Sequence, residues 1–471
     1  MILTIARKEW VELSRDGRLR GAALLLFLLT AVSLAAGALQ LRDTRAEREE
    51  GRQLTRQQWL NQGEKNPHSA AHYGVWAFKP ESPLAAFDRG VEPYLGVTVY
   101  LEAHKQNMTR YRAASDATAA ARFGELTGAG VLQLLLPLLI ILLTFSSFTA
   151  ERENGTLRLL LSTGVRRHQL VLGKALGVGL ALLMLLVPLL LLAVVLLRVL
   201  GMSPQDMLAR TGGMVLGYGL YLGGFVFLGL AVSAGVRSSR LALVVLLGFW
   251  MVNALLVPRL ASEVARAWAP TPSVEDFMRR LTEDYEKGLD GHDSADVRLA
   301  TLEKEVLARY GVASKQELPI NFDGLALQEG EEYGNRVNAL RFGELWDTYR
   351  RQERVHRLFA LGAPLLALRA VSSALAGTDL EAHLHFTREA EGYRQQLVRQ
   401  MNEAVTHRSR MGDWAYKAGA DLWREVADFQ PPVRPWRDAL QAELPSLALL
   451  AGWWLLTGLA ALRTGTRMSA V

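Results

Sequence analysis

LTGAGVLQLLLPLLIILLTFSSFTA, ERENGTLRLLLSTGVRRHQLVLGK and ALGVGLALLMLLVPLLLLAVVLL, which together are residues 126–197, decide how this chain folds. Two long runs without a charged residue flank a short segment rich in charge. A helix rises about 1.5 Å per residue, so about 20 apolar residues cross the roughly 30 Å hydrocarbon core of a bilayer. The two runs lie between Glu125 and Glu151 and between Lys174 and Arg198. Four further windows match them, between Arg20 and Arg42, Arg210 and Arg237, Arg240 and Arg259, and Glu443 and Arg463. The expected fold is an all-α integral membrane protein. It has six transmembrane helices and a large, mostly helical extracytoplasmic domain.

Composition agrees. The chain has 471 residues, 50% hydrophobic and 21% charged. Its mean hydropathy of +0.10 is too apolar for ordinary soluble domains and too polar for a chain wholly in lipid. The absence of cysteine excludes disulfides, thiolate zinc sites and cysteine nucleophiles. Arginine outnumbers lysine 44 to 9, which points to a GC-rich bacterial genome.

Orientation follows from basic residues in short loops. Residues 1–20, 149–174, 237–240 and 463–471 share one side and hold 14 Lys and Arg, against two in the loop 198–210. Both termini are therefore expected in the cytoplasm. The chain divides into an amphipathic segment 1–20, spans at 21–41, 126–150, 175–197, 211–236, 241–258 and 444–462, and a tail 463–471. A loop at 151–174 lies inside, and two long loops, 42–125 and 259–443, face outward. The net charge of +6 resolves into a basic inner side and an acidic second outer loop, which removes nucleic acid as a partner. Residues 358–378 are apolar but carry Arg369 and Pro364. An interfacial or buried helix is expected there, with a seventh span as the alternative.

No ionisable residue lies inside the six windows, which argues against ion-coupled transport. Gln133, Thr144 and Asn253 read as helix–helix hydrogen-bond partners. Gly213/Gly217 and Gly219/Gly223 permit close packing, within the subunit or between subunits. The chain has no phosphate-binding GxxxxGK[ST] loop, so an ATPase would be a separate subunit.

Two inner segments are organised. In residues 1–20, Ile2, Ile5, Ala6, Trp10 and Leu13 recur at helical spacing, with Glu9 placed elsewhere on the wheel. In residues 151–174, Glu151, Arg152 and Glu153 begin where the span ends. Gly155 can stop that helix and Thr156 can cap the next. Leu157, Leu160 and Leu161 form a short apolar face beside Arg158, and Arg166-Arg167 precede the third span. Such an element can seat in a partner's groove and move both spans.

This string resembles the coupling-helix signature of type-2 ABC exporter permeases, roughly ERExGTLxxLLxxPVxRxxxxxGK. IARKEWVELSRD resembles the family's N-terminal elbow helix. Gly164 departs from the pattern, standing where the family usually has proline. Asn66–Asn107 and Pro364–Asp379 are similar to a subfamily with two large extracytoplasmic loops, whose outer domain has no assigned activity. The resemblance implies a bacterial inner-membrane permease without its own catalytic site or cofactor, ATP and Mg²⁺ being bound by two partner ATPase subunits. It also implies a second permease copy or a sister permease. Lipid and a periplasmic partner complete the expected contacts.

The outer loops carry no HExxH, GxSxG or CxxC. The first is expected to hold charged helical runs at 42–61 and 101–125 around an irregular aromatic cap. The second is expected to form helices at 273–287, 295–310, 330–358, 379–408 and 413–428. His383 and His385 are two apart, with His356 and His407 as candidate neighbours in space; i and i+2 point to different sides of a helix, so the pair makes a poor metal face. His68 and His72 have an i,i+4 ligand spacing, but in a Pro-rich stretch, and no metal is assigned. The rival reading is a membrane-anchored enzyme or receptor that acts without an ATPase.

Overall fold

The structure is a computed structural model that describes residues 1–116, 126–289, 294–413 and 415–468. Among these, six helices are long and apolar enough to cross a bilayer: Leu19–Leu60, Gly128–Glu153, Arg167–Val199, Pro204–Gly235, Ser239–Trp268 and Leu444–Arg467. Each covers one of the six uncharged windows to within two residues. Spans 2 and 4 are mostly buried and form the centre of the bundle, while span 3 is mostly lipid-facing. Leu180, Leu183, Met184, Val187 and Leu191 make its exposed apolar stripe at helical spacing.

Span 1 belongs to one helix, Gly17–Leu60, of 44 residues. At 1.5 Å per residue it is about 66 Å long, twice the hydrocarbon thickness. Its outer half carries Arg45, Arg48 and Arg56 along one side. Arg45 donates to the Leu200 and Glu81 carbonyls, Arg48 to the Lys79 carbonyl and the Glu81 carboxylate, and Arg56 to the Val426 carbonyl and Asp428. Trp59 donates to the Trp423 carbonyl, and Trp423 in turn donates to Gly63. The domain formed by the two long loops is thus mounted on this helix.

The first outer loop corrects the sequence reading. Its core is a three-stranded antiparallel sheet: β1 (Val75–Phe78), β2 (Thr98–Glu102) and β3 (Lys105–Gln106). Val75 pairs with Leu101 and Phe78 with Thr98. The run expected to be helical from Leu101 opens as a strand, because the β-branched Thr98 and Val99 and the aromatic Tyr100 favour a pleated, half-buried surface. Residues 117–125 of that run lie outside the described residues.

The second loop is helical over Val274–Lys287, Ala295–Tyr310, Phe322–Phe359 and Leu380–Arg408. The run expected at 413–428 is helical only over Ala420–Glu425, and Trp414 lies outside the described residues. Pro364–Ala376 is a 13-residue helix, about 20 Å long and too short to span a bilayer. It packs against spans 4 and 6, with Leu368 and Val371 against Gly217 and Leu375 against Gly213. Its first amide, Leu365 N–H, donates to Asn253 at 3.1 Å, and Arg210 donates to the Leu375 carbonyl at 3.0 Å. It is a half-length helix inserted among the spans, which removes the seventh-span alternative.

His383 is buried in helix Leu380–Arg408, apart from His385, and its Nδ1 has no hydrogen-bond partner among the described residues. Burial, and then the nearby Lys79 and Arg112 cations, push its pKa down to about 3. The unfolded chain takes up this proton near pH 6.5. Native stability is therefore complete above that pH and falls as the solution is acidified toward 3. Thermal melts of the detergent-solubilised protein should show a lower melting temperature at pH 5 than at pH 7. That drop should shrink in His383→Gln.

Candidate functional site

The candidate site is the charged segment between spans 2 and 3. Its geometry begins with three consecutive residues at the end of span 2, each held by a different helix. Glu151 accepts from the Lys174 ammonium of span 3 at 2.9 Å. Arg152 donates to the Ala234 and Val236 carbonyls, where the ladder of span 4 ends. Glu153 accepts from the Ser239 amide at 2.8 Å and its hydroxyl at 3.0 Å, at the first turn of span 5. A cation on the terminal carbonyls and an anion on the first amides both complement the helix dipoles. Buried Ser233 of span 4 closes the joint: its hydroxyl oxygen accepts from the Phe148 amide at 2.9 Å and the Thr149 amide at 3.4 Å.

Lys174 is the node of the arrangement. Its side chain is 2% exposed and lies between Glu151 and Glu9, the latter at 3.0 Å. Glu9 belongs to α1 (Ile2–Arg15), the amphipathic N-terminal helix. The sequence reading placed Glu9 off the apolar side of that helix, but its pairing with Lys174 brings it onto the buried face beside Ala6. Ile5 and Leu13 pack against the bundle core, and Trp10 is half-buried. α1 crosses span 3 closely because Gly173 and Gly177 face it. A Cβ on Gly173 would lie 2.7 Å from Ile5, and one on Gly177 would lie 2.7 Å from Glu9. This glycine pair, four residues apart, is a signal the sequence reading missed.

After Asn154, Gly155 turns the chain with a left-handed φ of 74°. It is the N-cap of α2 (Thr156–Ser162). Thr156 does not cap that helix; its hydroxyl donates back to the Glu151 carbonyl. Leu157 is fully buried, Leu161 packs on the core and Leu160 is half-buried, so the expected apolar face is an anchor. The apolar residue left outward is Leu159, 68% exposed, with Arg158 beside it also exposed. Gly164 has a φ of 80°, which proline cannot adopt, so the departure from the family pattern is a different turn. Arg166 is exposed, and its amide donates to Gln169 at the start of span 3. Arg167 donates to the Thr466 carbonyl at the end of span 6.

The span-4 glycines divide. Gly213 and Gly217 receive the half-length helix, and Gly223 receives Trp454 of span 6, while Gly219 has nothing within 4 Å. Of the polar residues, Gln133 bonds to Tyr218 and Asn253 to Tyr221 across helices, whereas Thr144 bonds within its own helix.

Removing one partner of a buried ion cluster strands the others without compensation. Lys174→Met should destabilise the protein by about 3–5 kcal/mol in chemical or thermal denaturation. Adding Glu9→Gln and Glu151→Gln should recover most of that loss.

Residues 3–342 match the family described as ABC-2 family transporter protein, and residues 274–431 match a domain of unknown function, DUF3526. A stretch of 127 residues is 37% identical to the probable ABC transporter permease protein NosY of Pseudomonas aeruginosa. The match covers 26% of this chain and 45% of that protein, so the chain spans less than half the length of this curated relative.

Proposed function

The chain belongs to the ABC-2 family of transporter proteins, and from that premise we propose that it is the permease subunit of a bacterial ABC transporter, driven by a separate ATPase. Residues 151–174 receive the movement of that ATPase. The observation that carries this reading is the joint at Glu151, Arg152 and Glu153, three neighbours bonded to spans 3, 4 and 5. A push on this segment cannot be absorbed by one helix. Leu159, Arg158 and Arg166 present an outward apolar and basic face that suits an acid-rimmed apolar groove on the ATPase. Catalysis, with ATP and Mg²⁺, resides in that partner. Two ATPases dock on two permeases, either two copies of this chain or this chain and a sister.

The excess of Lys and Arg in the short loops supports cytoplasmic N- and C-termini and an inner-membrane location. The work done is mechanotransmission to the outer domain and a periplasmic partner, or export along the spans. The first is favoured by the helix Gly17–Leu60, which joins membrane and outer domain without a break.

Two experiments test this reading. Leu159→Asp changes an exposed side chain, so the protein should insert normally yet lose stimulation of the ATPase by at least tenfold. Unchanged coupled ATP hydrolysis would remove the docking role of this face. Orientation is read from single cysteines, since the chain has none of its own. In spheroplasts, an impermeant maleimide should label Asp421→Cys and spare Leu159→Cys.

A further inference from the structure

Far from the joint, on the outer domain, three imidazoles converge. His68 and His72 stand one turn apart on the short helix Pro67–Tyr73. His104 occupies the turn between β2 and β3. The ring centroids lie 4.8, 5.0 and 4.7 Å apart, close to an equilateral triangle. One ring nitrogen from each falls within 4.8 Å of the others.

The hydrogen bonds around the triangle fix where the protons are. Glu332 is a carboxylate and accepts from the Gln328 amide nitrogen at 3.0 Å. That leaves the Gln328 oxygen to accept from Asn402 Nδ2 at 3.1 Å. The Asn402 oxygen therefore faces His68 Nδ1, at 2.8 Å, and Nδ1 must be the donor. On the other side, His104 Nδ1 meets a Glu331 oxygen at 2.6 Å, and that carboxylate is also paired with the buried Arg394. His104 Nδ1 is thus the donor there. When both rings are neutral, each Nε2 carries a lone pair, and the two face each other at 3.2 Å. Two bare acceptors at this distance repel, so the gap suits either a shared proton or a metal cation.

A tetrahedral metal with bonds of about 2.0–2.1 Å sets its imidazole nitrogens about 3.3 Å apart. The Nε2 pair has that spacing, and His72, exposed on the helix, closes the third position by rotating its side chain. Orienting a ligand histidine through an Nδ1–H bond to a carboxylate or carbonyl is how metal sites hold their rings. Here Glu331 and Asn402, both buried, serve His104 and His68. The turn adds a further sign of purpose. His104 has a left-handed φ of 67°, where glycine would sit without strain, yet its amide is also fixed by Glu331 at 2.8 Å.

We propose that His68, His72 and His104 form a binding site for a divalent transition metal, Zn²⁺ or Cu²⁺, with a fourth position open to solvent. Imidazole sets of this kind suit both ions. All three ligands come from the first outer loop, and both orienting residues come from the second. Metal occupancy therefore clasps the two loops together.

The test uses the full-length, untagged protein in detergent, stripped with a chelator and titrated with Zn²⁺, then Cu²⁺. One equivalent should bind and raise the melting temperature. X-ray absorption of the Zn²⁺ form should show three imidazole nitrogens at about 2.0 Å. His72→Ala, a change at an exposed position, should weaken binding at least 100-fold while leaving the metal-free melting temperature unchanged. Glu331→Gln should weaken it by about 10–100-fold. No stoichiometric binding by the parent protein, or equal binding by His72→Ala, would overturn the site and leave a hydrogen-bonded histidine cluster.

Discussion

A single ammonium group, Lys174, holds the inner end of this protein together. It is removed from water, paired with Glu9 from the N-terminal helix and Glu151 from the end of span 2, and set over the Phe148 ring. Isolated in a low dielectric, any of these charges is costly; together they form a cluster that tolerates one geometry. That geometry fixes the N-terminal helix across span 3 at Gly173 and Gly177. It also fixes the direction in which span 2 delivers Arg152 and Glu153 to the ends of spans 4 and 5. The exposed position of Leu159 is a consequence, because Leu157 is drawn into the core as the chain turns at Gly155.

Within the bundle, the same demand for satisfied polar groups explains two irregularities. Pro137 has no N–H to give to the Gln133 carbonyl one turn earlier, and span 2 widens into a π turn over Val131–Leu135. The freed carbonyls are taken by neighbouring helices: Tyr221 donates to Gln133 and Trp250 to Leu134. Span 5 has a matching π turn over Val252–Leu256 just before Pro258. It presents Asn253 to Tyr221 and to the first amide of the half-length helix. At Pro137 an internal bond is thus exchanged for a bond between helices, which no surrounding water could supply at this depth.

The membrane part was legible because hydrophobic length and charge are local properties of a sequence. Six windows, the break at Gly155 and the end of the first helix at Asp16 all follow from runs of neighbours. Glu9 was misplaced because an isolated wheel ranks residues by polarity, whereas its environment is set by Lys174, 165 positions away. The strand Val75–Phe78 was hidden among prolines, and its partner Thr98–Glu102 is identifiable only through the pairing. His68 and His72 had a readable spacing. His104, which gives the pair its third member, is brought to them by a hairpin turn that no periodicity announces.

The uninterrupted helix Gly17–Leu60 is also a lever. Its inner end is seated beside the N-terminal helix, and its outer end carries Trp59, locked to Trp423 of the outer domain. For a rod of about 66 Å, a tilt of only 5° about the inner end sweeps the tip through about 6 Å. That displacement is about one helical turn. A change too small to open a path between spans would therefore still be a large movement on the far side of the membrane.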